Sequence, residues 1–216
     1  MLRWKQAADA ELAYPLSGVR VAVIAEGIAC AGEARQFSDL EADDWRDFDP
    51  DAVAAPVGDL LRLAGSVDAA EFRAPLVAFT GPVYGALTQL EREILWKRFR
   101  VPIFEQLRGL NNELLAFECA AHDGLHVNEK QAVIEMDGGE ILYSWFGDGR
   151  LFPAPVRTGL TGRLEQGLCG CNHLGMRLFD LRPLRKAQAV AARTARSVAQ
   201  QLQNSGAWLH VTRKAP

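Results

Sequence analysis

Two short stretches, ECAAHDGLH (residues 118–126) and QGLCGCNHLG (residues 166–175), contain the most informative residues of this chain. The chemically distinctive residues in them are Cys119, His126, Cys169 and Cys171. They are three of the chain's four cysteines and one of its four histidines. Three thiolates and one imidazole form the ligand set of a closed, tetrahedral, structural zinc site. The two stretches therefore predict a zinc ion that clamps them together.

Other interpretations of these residues stay open, because the spacing is less diagnostic than paired C-x2-C motifs. Buried cysteines also act as small apolar side chains, which suits Cys30 in the run GIACAG better than the C-x-C. His122 and His173 are the substitutes if one ligand is misassigned, although we favour solvated loop histidines for both. A metal-dependent enzyme is disfavoured, since four protein ligands leave no open coordination position for water or substrate.

The remainder of the chain has the pattern of a mixed α/β fold, in which βα units precede a β-rich portion. Apolar runs at residues 18–25, 74–81 and 100–107 predict buried strands. Short segments separated by Asp-Gly and Gly-Gly turns predict the β-rich portion over residues 113–160. Residues 38–51 are acidic and aromatic, and they predict a surface loop or a short helix.

Three helices are predicted. Thr88 begins a capping box for a helix over residues 89–99. Its apolar side is predicted to consist of Leu90, Ile94, Leu95 and Phe99. A second helix is predicted over residues 51–65, entered from the Asp49-Pro50 pair, and an early break at Pro56 stays open. A third is predicted over residues 183–204. Residues 206–213 predict a final edge strand.

Charge is divided unevenly along the chain. Residues 1–149 carry a net charge of −12 and residues 150–216 a net charge of +9, which together give the overall −3. The order of elements divides the chain into an α/β portion (1–112), a β-rich zinc-binding lobe (113–182) and a C-terminal helix and tail (183–216). We expect the basic part to dock on the acidic part or on a protein partner. Nucleic acid is not expected, because no aromatic residues are interleaved with the basic ones.

The composition is that of a folded soluble chain, with 49% hydrophobic and 24% charged residues. No apolar run approaches the roughly 18 residues that span a bilayer, so no membrane association is expected. The first residues carry scattered charges and no apolar core, so we expect no signal peptide. Cysteines in a metal-like pattern predict a reducing, cytoplasmic location.

The stretch from about Ala74 to Asp180 resembles the phenylacetate–CoA ligase branch of the AMP-forming (adenylate-forming) ligases. The sharpest match is AFECAAHDGLHVNE (residues 116–129), and VRTGLTGRLEQGLCGC (residues 156–171) is similar to Y-R-T-G-D followed by C-x-C-G. The match covers about half of the chain and a middle portion of such a ligase, so it implies the fold of the ligase core. In several members the equivalent positions look like a structural zinc site. Carried over, the ligands are Cys119, His126, Cys169 and Cys171.

Several departures from that family bear on catalysis. The sequence has no Gly/Ser/Thr-rich phosphate loop, and the family's Y-G-x-[ST]-E motif falls on EQLRG (residues 105–109), which lacks the tyrosine and the final acid. Leu160 replaces the aspartate that binds the ribose hydroxyls in the family. Arg157, Thr158 and Gly159 remain as a relic nucleotide motif and are the candidates for cofactor binding. No counterpart of the family's lid and catalytic lysine can be assigned.

These departures predict no catalytic residues and count against ATP, AMP or CoA as cofactors. The favoured interpretation is a zinc-stabilised, non-catalytic relative of the ligases that acts as a binding or scaffold protein. Its partner would be another protein or a small acyl or nucleotide ligand, and self-association stays open. The alternative is one component of a split acyl-CoA ligase, which another polypeptide completes.

Overall fold

The structure, a computed structural model, describes residues 16, 18–25, 27–28, 33–40, 44–66, 71–147, 150–151, 155–184 and 209–210. These residues form the mixed α/β fold that the sequence predicts, built on one large sheet. The strands are β1 (Val21–Ile24), β2 (Ala34–Phe37), β3 (Ala52–Pro56), β4 (Leu76–Thr80), β5 (Ile103–Arg108), β6 (Leu114–Glu118), β7 (Leu125–Val127), β8 (Ala132–Asp137), β9 (Glu140–Gly147), β10 (Arg150–Leu151), β11 (Val156–Leu168), β12 (Leu174–Pro183) and β13 (Leu209–His210). The helices are α1 (Asp44–Asp47), α2 (Val57–Gly65) and α3 (Gln89–Phe99).

The first half of the sheet is parallel, with the strand order β2-β1-β3-β4-β5. Parallel strands are normally covered on both faces, which explains their near-continuous apolar sequences. One face packs under α2 and α3 through Leu60 and Leu95, among others. The opposite face contains Val77, Phe79 and Phe104 in a separate apolar cluster.

The second half of the sheet is antiparallel and joins the first through the pairing of β5 with β6. Its order continues β6-β7-β12-β11-β9. Both β8 and β10 pair with β9, and β13 pairs with β10. One hydrogen-bonded sheet therefore runs across residue 112, the boundary that the sequence places between the first two portions. The predicted division into three portions stays a prediction.

The predicted helix over residues 51–65 is wrong in its first half, because residues 52–56 form strand β3. The alanines of β3 favour helix by propensity, yet all four residues from Ala52 to Ala55 are buried between β1 and β4. Tertiary burial on both faces overrides that propensity. Pro56 ends the strand, and α2 begins at the next residue.

Helix α3 is confirmed, including its capping box between Thr88 and Glu91. Its apolar side is wrong in part, because Leu90 and Ile94 are 68% and 43% exposed whereas Leu95 and Phe99 are buried. Helix geometry explains the difference. Positions 90 and 94 lie on one line along the helix, and positions 95 and 99 lie on another about 100° around it. Only the second line faces the sheet.

The helix predicted over residues 183–204 does not begin at Pro183, which is the last residue of β12. Proline is tolerated there because a strand end requires no further ladder N–H. Residues 185–204 lie outside the described part of the chain. Of the edge strand predicted over residues 206–213, residues 209–210 form β13 at the end of the strand order, and the others lie outside the described part of the chain. Within the described residues, no helix has the length and apolar character that a bilayer crossing requires.

Gly81, at the end of β4, provides a test of this packing. Its φ is +137°, and an added Cβ would lie 2.1 Å from the carbonyl oxygen of Arg108 on β5. We expect Gly81→Ala to lower the free energy of unfolding by at least about 2 kcal/mol, because backbone atoms must separate. Urea unfolding measures this change. Gly58→Ala on α2 is the control, since its Cβ meets open space; equal stability losses in both variants would contradict the packing described.

Candidate metal centre

The four predicted ligands come from three places in the antiparallel half of the sheet. Cys119 follows the last residue of β6, and His126 lies in the middle of β7. Cys169 and Cys171 lie in the turn that joins β11 to β12. Because β12, β7 and β6 are neighbours in the sheet, the fold brings residues from distant parts of the sequence to one point.

The ligand atoms of these four residues all lie within 4.8 Å of one another. The Cys119 and Cys169 Sγ atoms are 3.5 Å apart, and the Cys171 Sγ atom is 3.4 Å from His126 Nε2. A tetrahedral zinc ion with bonds of about 2.3 Å to sulfur holds such atoms about 3.8 Å apart. The predicted juxtaposition is therefore confirmed, and the donor set and spacing fit a zinc ion.

Both cysteine-bearing segments form the same kind of tight turn. The N–H of His122 donates to the Cys119 carbonyl, and the N–H of Asn172 donates to the Cys169 carbonyl, each at 2.9 Å. His122 and Asn172 have positive φ values of 49° and 65°. Such turns direct the leading cysteine inward at the start of each segment. Neither His122 nor His173 belongs to the group of residues that could hold a metal ion among the described residues.

Burial shifts the pKa of two of the candidate ligands, Cys119 and His126. It raises the pKa of the Cys119 thiol to about 11, so that thiol stays protonated at neutral pH until a cation displaces its proton. Burial also lowers the pKa of His126, with further contributions from His173 and Arg177. The lowered pKa favours the neutral imidazole, which is the form that binds metals. Three of the four ligands are buried and Cys171 is exposed.

His126 has one feature that sequence patterns cannot reveal. Its Nε2 faces Cys171, whereas its Nδ1 is buried and has no hydrogen-bond partner among the described residues. Its ring packs against Phe117 and, edge-on, against His173. Aromatic packing therefore sets the orientation of this imidazole. In most metal-bound histidines a carboxylate or carbonyl does so by accepting a hydrogen bond from the second ring nitrogen.

Arg177, on β12, lies behind the centre and was not identified from the sequence. It is the register partner of His126. Its Nη1 donates to the carbonyl of Asp123 at 2.9 Å and to the carboxylate of the same residue, and its Nη2 donates to the carbonyl of Leu168 at 3.4 Å. Asp123 lies between Cys119 and His126, and Leu168 precedes Cys169, so one guanidinium contacts both ligand-bearing segments.

A groove of about 820 Å³ adjoins the metal centre on the α3 side of the sheet. Its apolar lining includes Trp96 of α3, Ile103 of β5, Leu125 of β7 and Phe179 of β12. Charged side chains lie at its base. The groove has the size of a small-molecule site, and it is separate from the four candidate ligands, none of which lines it.

The charged side chains at the base of the groove form a buried network. Arg92 of α3 contacts Glu118 at 3.0 Å and Glu105 at 3.4 Å. The hydroxyl of Thr80 donates to Glu105 at 2.8 Å, and His122 Nδ1 lies 2.9 Å from Glu118. Burial raises the pKa of Glu105 to about 7, and the neighbouring Glu118 charge adds to this shift. A single acidic residue in each of the buried strands β5 and β6 was the sequence signal for this network.

The relic nucleotide motif occupies the first residues of β11. The Arg157 guanidinium forms an ion pair with the buried Glu140 of β9. The hydroxyl of Thr158 donates to a backbone carbonyl of β9, and the N–H of Gly159 donates to Glu140 at 3.1 Å. All three residues thus have partners within the sheet. Their role in cofactor binding stays a prediction.

Comparisons with known proteins give one informative result. No family model matches the chain, and no curated protein matches it. Among solved structures, the chain is similar to a 2-hydroxyisobutyryl-CoA ligase in an open conformation, solved in complex with 2-HIB-AMP and CoA, with a TM-score of 0.58 and 13% identity. The match covers 82% of this chain and 48% of that one. The chain thus shares the fold of part of an adenylate-forming CoA ligase and spans about half of its length.

The raised pKa of Glu105 predicts a pH dependence of stability. A carboxyl whose pKa rises from 4.5 to about 7 on folding contributes stability below pH 4.5 that is lost as the pH rises through about 7. Glu105→Gln removes this titration and keeps an acceptor for Thr80. Between pH 5 and pH 8, the free energy of unfolding of the unaltered chain should therefore fall by about 1 to 3 kcal/mol relative to that of the variant.

Urea unfolding at the two pH values, at equal zinc content, measures this change. Glu135→Gln on the edge strand β8 controls for the loss of one carboxyl. A Glu105→Gln variant whose stability follows the same pH profile as the unaltered chain would contradict the assignment.

Proposed function

We propose that this chain is a zinc-stabilised, non-catalytic relative of the phenylacetate–CoA ligase branch of the adenylate-forming ligases. It acts by binding a protein partner or a small acyl or nucleotide ligand. The observation that carries the zinc part is the convergence of three thiols and one imidazole within 4.8 Å. Cys119, His126, Cys169 and Cys171 would bind the ion, and a cytoplasmic location would keep their thiols reduced.

The donor set supports a structural role for the ion. Zinc with four protein ligands is coordinatively closed, so it supplies folding energy and no catalytic water. Within the chain, the ion would connect the loop after β6 and the turn between β11 and β12 to the His126 side chain of β7. No proton transfer or substrate contact is assigned to these residues.

Residues at the positions that the family resemblance marks for nucleotide binding support the absence of catalysis. Leu160 is buried in the apolar cluster of the antiparallel half of the sheet, where it cannot accept hydrogen bonds from a ribose. Glu105, at the position of the family's aromatic residue, is buried in an ion-pair network with Arg92. Arg108, in the same motif, is fully buried as well. These side chains are committed to the core.

Metal content tests the zinc proposal. Protein purified without added metal should contain close to one equivalent of zinc by elemental analysis. Cys119→Ser should reduce that content substantially and lower the Tm by more than about 5 °C, because metal affinity is coupled to folding in such sites. Cys30→Ser, which changes the cysteine outside the ligand set, is the control for metal content and should keep the zinc equivalent. A metal-free protein with an unchanged Tm would refute the proposal.

A pyrophosphate-release assay tests the absence of catalysis. With ATP, magnesium and a panel of aryl and aliphatic acids, we expect the rate to stay at background, because Leu160 provides no ribose contact. Isothermal titration with AMP, CoA and the same acids tests the binding role. Acid-dependent turnover by the chain alone would contradict the proposal. Turnover that requires a second added polypeptide would favour the split ligase.

A further inference from the structure

Arg177 is a buried cation next to a group of thiols, and its contacts are unusual for a strand residue. Its side chain is 9% exposed, whereas the side chain of its ion-pair partner Asp123 is 51% exposed. Solvent therefore screens the carboxylate more than the guanidinium. The Nε of Arg177 is buried and has no hydrogen-bond partner among the described residues.

The charge of the proposed metal centre gives this cation a role. Three thiolates and a neutral imidazole around Zn²⁺ carry a net charge of −1, and a net charge in a partly buried site is costly unless another charge offsets it. Arg177 lies close to the ligands: it is the register partner of His126, and its Nη2 donates to the carbonyl of Leu168, the residue directly before Cys169. The guanidinium is therefore placed to offset the negative charge of the thiolates.

The hydrogen bonds of Arg177 give it a second role. Its Nη1 binds Asp123, inside the segment between the ligands Cys119 and His126, and its Nη2 binds the carbonyl of Leu168, directly before the ligand Cys169. The guanidinium consequently fixes the separation of two segments that the metal must bring together. A flat guanidinium with several donors can make these contacts simultaneously, and a lysine ammonium on a flexible stem cannot reproduce the arrangement.

We propose that Arg177 is a positioning residue of the metal centre, which holds the two ligand-bearing segments in register and compensates the negative charge of the three thiolates. This proposal rests on the proposed zinc binding. It assigns no contact between Arg177 and the metal ion. Arg177 would affect the affinity of the four ligands for the ion and the geometry of their binding. Groups that contact the ligands from behind orient them and tune their charge.

Another interpretation of Arg177 is simple packing, since its guanidinium stacks on the Phe179 ring with 5.0 Å to the ring centroid. Arg163 offers a matched control for this interpretation. Its guanidinium stacks on the same ring at 5.3 Å, and its other contacts are with Glu165 and Asp180 on the exposed face of the hairpin. If Arg177 acts only by stacking on Phe179, the substitutions of Arg177 and of Arg163 should therefore have similar effects on zinc binding.

The test compares zinc affinity in four full-length proteins: the unaltered chain, Arg177→Met, Arg177→Lys and Arg163→Met. Competition with a chromophoric chelator gives the Kd for zinc, and the visible spectrum of the cobalt-substituted proteins reports the geometry of the thiolate ligands. We expect Arg177→Met to weaken zinc binding about 10- to 100-fold and to alter the cobalt spectrum. Arg177→Lys should recover part of the affinity through its charge. Arg163→Met should stay within about threefold of the unaltered chain.

Each outcome decides between the proposals. If the unaltered chain binds no zinc, the zinc proposal itself fails. If it binds zinc and Arg177→Met has the same Kd and cobalt spectrum, the role of Arg177 is refuted. Equal losses in Arg177→Met and Arg163→Met would also refute it and assign the effect to Phe179. If Arg177→Met does not fold, Arg177→Lys carries the test, and an unchanged Kd and cobalt spectrum in that variant would refute the need for a guanidinium.

Discussion

The end of β6 is the point on which the two halves of this fold depend. One Oε2 atom of Glu118 accepts hydrogen bonds from Arg92 of α3 at 3.0 Å and from the N–H of Glu105 on β5 at 2.8 Å. Its other oxygen contacts His122 at 2.9 Å. The next residue is Cys119. A single buried carboxylate thus fixes the parallel half, its covering helix and the first metal-binding turn relative to each other. Loss of one partner would leave a buried charge uncompensated, which is costly.

Local patterns in the sequence predicted those elements whose own residues determine them. The capping box at Thr88 and the buried strand at residues 18–25 depend on short-range chemistry that can be recognised without tertiary context. The four candidate ligands are recognisable by residue type, and the fold brings them together. Strand β3 could not be recognised in this way, because alanine favours a helix unless sheet neighbours cover both faces. Arg177 was missed for a similar reason, since its partners lie 9 and 54 residues away.

The fold of this chain and the polar contacts at the start of β11 have separate physical origins. The fold depends on the apolar strands and on the joint between β5 and β6, and the fold as a whole is similar to part of a CoA ligase at 13% identity. Nucleotide binding in such a framework depends on a few polar side chains with unpaired hydrogen-bonding atoms. In this chain, Thr158 and Arg157 bond within the sheet, and Leu160 packs into its core. Function therefore has to be assigned from these residues, and the fold does not assign it.

The β11–β12 hairpin explains why a metal is suited to this lobe. Between Arg163 and Leu174 its side chains are mostly exposed, and Leu168 and Leu174 at its end are 64% and 67% exposed. Cys169 is the buried exception. A two-stranded ribbon with so little apolar burial is marginally stable in water. Bonds from Cys169 and Cys171 to a proposed zinc ion would supply the stabilisation that apolar packing does not, because metal binding energy is available as folding energy. The net negative charge of the proposed zinc centre is the charge that Arg177 is placed to offset.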